Sequence, residues 1–65
     1  DGFSEIRKVI KKASDLIKIN GKLIIEIGFN QKSKALELLK KNGFYINKTL
    51  KDYGKNDRCI ISTKI

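Results

Sequence analysis

Residues 22–31, Lys22-Leu23-Ile24-Ile25-Glu26-Ile27-Gly28-Phe29-Asn30-Gln31, narrow the possible folds of this chain more than any other segment. An apolar run ends in a carboxylate and a glycine, and a stretch able to form a helix follows. A nearly continuous apolar strand is what a sheet covered on both faces requires. In open α/β sheets the loops leaving the carboxyl ends of parallel strands line the ligand crevice. The segment therefore reads as one strand-to-helix corner of a doubly wound sheet.

The flanking residues extend this corner into an order of elements. Phe3, Ile6, Val9, Ile10, Ala13, Leu16 and Ile17 recur at helical spacing, with Glu5, Lys8, Lys11, Lys12 and Asp15 between them. That pattern predicts an amphipathic helix over about residues 3–18. Asn20-Gly21 ends it, since both residues tolerate positive φ. Lys22–Ile27 is the first strand. Asn30 is expected to cap a second helix through its side-chain oxygen. The apolar stripe of that helix is Ala35, Leu36, Leu38 and Leu39; Lys40 and Lys41 suit its negative end, and Asn42-Gly43 stops it. Phe44–Leu50 alternates weakly, with Phe44, Ile46 and Lys48 to one side and Tyr45, Asn47 and Thr49 to the other, which reads as an edge strand. Asp52–Asp57 is a polar connection, and Arg58–Lys64 is the last strand, centred on Cys59-Ile60-Ile61.

The resulting order is α-β-α-β-β. A helix joins strands 1 and 2, which makes them parallel with a right-handed crossover. The short connection reverses strand 3, and its apolar centre suits a place between the other two. The expected fold class is α/β, with a three-stranded mixed sheet in order 1-3-2 and strand 3 antiparallel.

Composition sets the outer limits. A chain of 65 residues is one domain or part of one, and at this size only about 60% of the unfolded surface is buried. There is no Met, so the chain reads as a piece of a longer protein. The net charge of +8 suits acidic partners such as nucleic acid. Solvated Lys on exposed faces is the favoured explanation, since Lys, Ile and Asn are all abundant and Lys rarely sits inside. The single Cys59 cannot form an internal disulfide, and it reads as a small buried hydrophobe in the last strand. No apolar stretch approaches the roughly 20 residues that cross a bilayer. A reducing, cytoplasmic setting without membrane contact fits best. With no His and one Cys, no metal site is expected.

Several segments carry a family resemblance. They are Asp1-Gly2-Phe3 with Ile6-Arg7; Leu16 with Asn20-Gly21-Lys22-Leu23; Glu26-Ile27-Gly28 with Gln31; Leu38-Leu39 with Asn42-Gly43-Phe44; and Lys51-Asp52 with Asn56-Asp57-Arg58. Together they resemble the last third of the HemK/PrmC family, whose members methylate the side-chain nitrogen of a glutamine in peptide chain release factors. The resemblance implies a class I, Rossmann-like methyltransferase parent. It implies S-adenosylmethionine as the parent's cofactor and a release factor as its partner. The family's glycine-rich cofactor loop and its Asn-Pro-Pro-Tyr motif are expected upstream, and this chain contains no Pro. Residues 1–65 are thus expected to be a single carboxyl-terminal portion of the catalytic domain, inactive alone and binding no cofactor by themselves. Truncation leaves strand 1 with an open edge, so self-association is also expected.

No residue is assigned a catalytic role. Glu26, Gly28, Phe29 and Asn30 are candidates for one wall of a substrate cleft. Each has a structural reading beside the functional one. Glu26 is either a carboxylate at the crevice or the partner of Arg58, and the pair is favoured because a partly buried carboxylate needs one. Gly28 gives a tight exit from the strand and also admits a close ligand. Phe29 is a staple on the second helix or a cleft wall, and Asn30 is most simply the cap. Two alternatives to the protein methyltransferase stand. One is a small basic RNA-binding module, for which Lys11, Lys12, Lys40 and Lys41 are the cations without accompanying aromatic residues. The other is a portion of an RNA base methyltransferase.

Overall fold

The computed structural model describes residues 2–28 and 30–65; Phe29 and the side chain of Phe3 lie outside the described residues. The elements are α1 (Gly2–Leu16), β1 (Lys22–Glu26), α2 (Lys32–Lys41), β2 (Phe44–Lys51) and β3 (Asp57–Lys64). The order is that expected, with ends displaced by a residue or two.

The apolar face of α1 is narrower than its spacing suggests. Ile6, Ile10, Ala13 and Ile17 form the row that meets the core, and Ile10 is fully buried. Val9 and Leu16 flank that row and are 52% and 72% exposed, so they are not core residues. The helix stops at Leu16, Asn20 adopts a left-handed φ of 75°, and the Gly21 amide donates to the Lys18 carbonyl.

The sheet order is β1-β3-β2, and both neighbouring pairs are antiparallel. The outer strands β1 and β2 therefore share one direction, with β3 reversed between them. Leu23 lies opposite Ser62 and Ile25 opposite Ile60, on the face that the helices cover. Ile24 opposite Ile61 and Glu26 opposite Cys59 project to the other face. That face is open: Ile24 and Tyr45 are each about 60% exposed, and Cys59 is only half-buried. The apolar run of β1 is thus covered on one side within this chain, where cover on both was expected.

A register shift between Ile46 and Lys48 corrects the reading of β2. Asn47 is the extra residue of a bulge, and the alternation reverses after it. Lys48 lies opposite Ile61 on the open face, while Thr49 lies opposite Ile60 on the helix side.

One core cluster joins four elements through Ile10, Ala35, Leu38, Leu39, Phe44 and Ile60, with Ile27 just beyond β1, and Leu23 and Ile25 of β1 pack against it. The end of α2 is tied down by polar contacts. Ser14 Oγ donates to the Asn42 carbonyl at 2.8 Å, and Lys64 Nζ donates to Ser14 Oγ at 3.0 Å and to Asn42 O at 3.3 Å. The same ammonium stands 5.5 Å from the centre of the Phe44 ring, at the C-terminal end of the helix where a cation is favoured. Gly43 then takes φ +83°, the left-handed turn that admits the chain directly into β2.

Ile60 is fully buried in the central strand, whereas Ile24 is exposed in an edge strand. Ile60→Val should lower the unfolding free energy by about 0.5–1.5 kcal/mol. Ile24→Val should change it by less than about 0.5 kcal/mol. Urea denaturation followed by circular dichroism measures both, and equal costs would contradict the placement of the core.

Candidate functional site

Because β1 and β2 run the same way, their carboxyl ends lie at the same end of the sheet, on either side of the start of β3. The ladder continues one step past β1, where the Ile27 amide donates to the Arg58 carbonyl at 2.8 Å. The chain then folds on itself: the Gly28 amide donates to Gln31 Oε1 at 2.6 Å, and the Gln31 amide donates to Gly28 O at 3.2 Å. A Cβ at position 28 would lie 3.0 Å from Gln31 Oε1, so Gly28 is what lets this side chain close the turn. Asn30 occupies the left-handed region at φ 65°. It is not the helix cap. The N-cap position is Gln31, in right-handed helical conformation and without a side-chain capping bond, because its carboxamide is already spent on Gly28.

The facing wall is the turn between β2 and β3. The Asp52 amide donates to Asn56 O and the Lys55 amide to Asp52 O, both at 2.9 Å. Asp52 Oδ1 accepts the Asn56 amide at 3.0 Å, and Oδ2 accepts Arg58 Nε at 2.8 Å. Lys55 is left-handed at φ 64°. Arg58 holds the Asp52 carboxyl below the usual carboxylate pKa, chiefly by its hydrogen bond, and the Asn56 amide adds to the effect.

Between the walls lies a cleft of about 340 Å³. Gly28, Asn30, Lys32 and Ser33 line one side, and Lys55, Asn56 and Asp57 line the other. Lys32 Nζ stands 3.4 Å from Asp57 Oδ1 and spans the two. That oxygen is shielded from solvent and accepts no hydrogen bond among the described residues, so the contact is one of charge without hydrogen-bond alignment. The lining is polar and carries both donors and acceptors, which suits a ligand with both. No group of three His, Cys, Asp or Glu among the described residues could hold a metal ion. No helix among them is long and apolar enough to cross a membrane.

Gly28 and Asn30 thus line the cleft. Glu26 does not: it is exposed on the open face of the sheet. Phe29 lies outside the described residues. The expected Glu26–Arg58 pair is replaced by Asp52–Arg58. The strand ends do meet, but Glu26 lies opposite Cys59, and consecutive residues of a strand point to opposite faces. Lys32, Ser33, Lys55 and Asn56 were not singled out as site residues. The one legible signal was the Asp52-to-Asn56 spacing around Gly54, a side-chain-to-backbone turn pattern.

Over 64 residues the chain is 41% identical to the release factor glutamine methyltransferase of Fusobacterium nucleatum subsp. nucleatum, covering 98% of this chain and 18% of that protein. It is equally similar to the protein of the same name from Buchnera aphidicola subsp. Schizaphis graminum, covering 23% of it. With that from Shewanella oneidensis it shares 37% identity over 59 residues, 91% of this chain and 21% of the relative. Nearly the whole chain thus matches part of the release factor glutamine methyltransferases. It spans about a fifth of the length of the curated family members it matches. No family model and no solved structure matches it.

Asp52 has a depressed pKa in the folded chain, so its pairing contributes stability above the ordinary carboxylate pKa. That contribution is lost as the pH falls through the lower, folded value. Carbon-13 NMR titration should place Asp52 below an ordinary aspartate in the parent chain and return it towards the ordinary value in Arg58→Ala. An unmoved midpoint would refute the pairing.

Proposed function

We propose that residues 1–65 form the carboxyl-terminal portion of the catalytic domain of a protein-(glutamine-N5) methyltransferase that acts on peptide chain release factors in the cytoplasm. The observation that carries this reading is identity of 41% across 98% of the chain to a relative bearing that name. The cleft supports it: it lies where loops leave the carboxyl ends of two like-directed strands. In this reading Gly28 and Asn30, with the 55–57 turn opposite, form a wall that orients the acceptor polypeptide. The chain alone is inactive.

S-adenosylmethionine would supply the methyl group in the whole enzyme. The donor set here does not fit it. The described lining is Lys, Asn, Ser, Asp and Gly, with no apolar or aromatic side chain among them to stack on an adenine ring. Cofactor binding is therefore assigned to the rest of the enzyme. The exposed Ile24, Tyr45 and Leu50 on the open sheet face support self-association of the isolated chain.

A second reading, an RNA-binding module, has one observation in its favour. Arg7, Lys8, Lys11 and Lys12 line one shallow groove along α1. Binding to generic RNA that weakens steeply with salt would support it.

Exchanging the matched segment of the Fusobacterium nucleatum relative for this chain tests the first reading. The chimera should transfer a methyl group to release factor, and the same relative lacking the segment should not. A folded chimera without methyl transfer would overturn the reading.

A further inference from the structure

The Asp52–Arg58 pair joins a half-buried carboxylate to an exposed guanidinium, and ion pairs this open to solvent add little to stability. Its geometry is nevertheless fully used. Each oxygen of Asp52 is committed, one to the Asn56 amide and one to Arg58 Nε. Two backbone bonds, Asp52 to Asn56 and Lys55 to Asp52, close the same loop and hold Lys55 left-handed. The core does not rest on this loop, since Tyr53, Gly54, Lys55 and Asn56 are all exposed. The loop instead faces the cleft, to which Lys55, Asn56 and Asp57 contribute one wall. Across the cleft it meets α2 through Asp57 and Lys32.

Arg58 itself does not line the cleft. Its guanidinium reaches back from β3 to the carboxylate that organises the turn. A side chain that adds little to stability and does not line the cleft, yet fixes a cleft wall, acts through position. We propose that Arg58, through Asp52, is a positioning residue that sets the 55–57 wall where the acceptor polypeptide docks. This rests on the functional reading above and adds to it how one wall is held. Loss of the guanidinium frees Asp52 Oδ2 and leaves the Asn56 amide with a looser acceptor. The wall then samples several positions, and polypeptide docking weakens while the chemical step, carried elsewhere, keeps its rate.

Two measurements decide this. In the 65-residue chain, amide hydrogen exchange by NMR should quicken at Asn56 in Arg58→Ala, while Ile60 and Ile61 keep their protection. In the active chimera, Arg58→Ala should raise KM for release factor about tenfold with kcat nearly unchanged, since small misplacements at a docking site are costly. Arg58→Lys should restore part of the loss, and Lys48→Ala, on the open sheet face, should leave both constants unchanged. Unaltered Asn56 exchange in Arg58→Ala overturns the proposal. So does a fall in kcat at constant KM, or an unchanged KM. An inactive parent chimera counts against the functional reading alone, and the exchange measurement then decides whether Arg58 holds the wall.

Discussion

Strand β3 is hydrogen-bonded along both edges, and the rest of the fold depends on that. β1 and β2 have no contact as neighbours; each is aligned only by its pairing with β3. The strand is also the last element of the chain, so its pairing with β1 joins residues 33 to 41 positions apart, from Glu26–Cys59 to Lys22–Thr63. Such non-local pairing requires loop closure before contacts are gained, which slows folding. Ile60 and Ser62 show how closely the strand is held. Both are fully buried, and the Ser62 hydroxyl donates to the Leu23 carbonyl at 3.0 Å, so this polar side chain carries no desolvation debt.

The last residues of β3 bind the helices as well. Lys64 exchanges backbone bonds with Asn20 and Gly21 while its ammonium joins Ser14 of α1 to the end of α2. One residue thus links the start of β1, both helices and, through the Phe44 ring, β2. An ammonium partly buried beside a carbonyl and an aromatic face is a directional tie, and it fixes the tilt of two short helices that a small apolar core would leave loosely set.

How far the sequence discloses this depends on the length scale of each feature. Strand order followed from coarse properties: the short polar link before β3, the helix between β1 and β2, and the apolar centre at Cys59-Ile60-Ile61. Features set by a single residue of offset did not follow. Glu26 and Arg58 were expected to meet because their strand ends meet, yet the register puts them on opposite faces. The bulge at Asn47 reverses Lys48 and Thr49 in the same way, and no Gly or Pro announces it. Asn30 has the composition of a cap, but Gln31 competes for the turn by bonding to Gly28, and Asn30 takes the left-handed position that Asn tolerates well. Val9 and Leu16 fit a helical stripe, but only the row from Ile6 to Ile17 faces the core. The cleft was half legible: its β1 side lay in the opening motif, while its other side depends on where an exposed turn is placed in space.

The two walls of the cleft are built separately. On one side Gln31 closes the chain over Gly28; on the other Asp52 closes it over Asn56. Lys32 and Asp57 are the ion pair that crosses between them, and 3.4 Å is long for a charge-assisted hydrogen bond. That pair is therefore too weak a tie to set the width of the cleft. The width is set where the walls share a foundation, at the bond from the Ile27 amide to the Arg58 carbonyl. Ile27 is buried and leads directly into Gly28, while Arg58 follows Asp57 in β3. The antiparallel ladder thus delivers both walls at a spacing fixed by backbone geometry, and the side chains have only to keep each wall in its own shape.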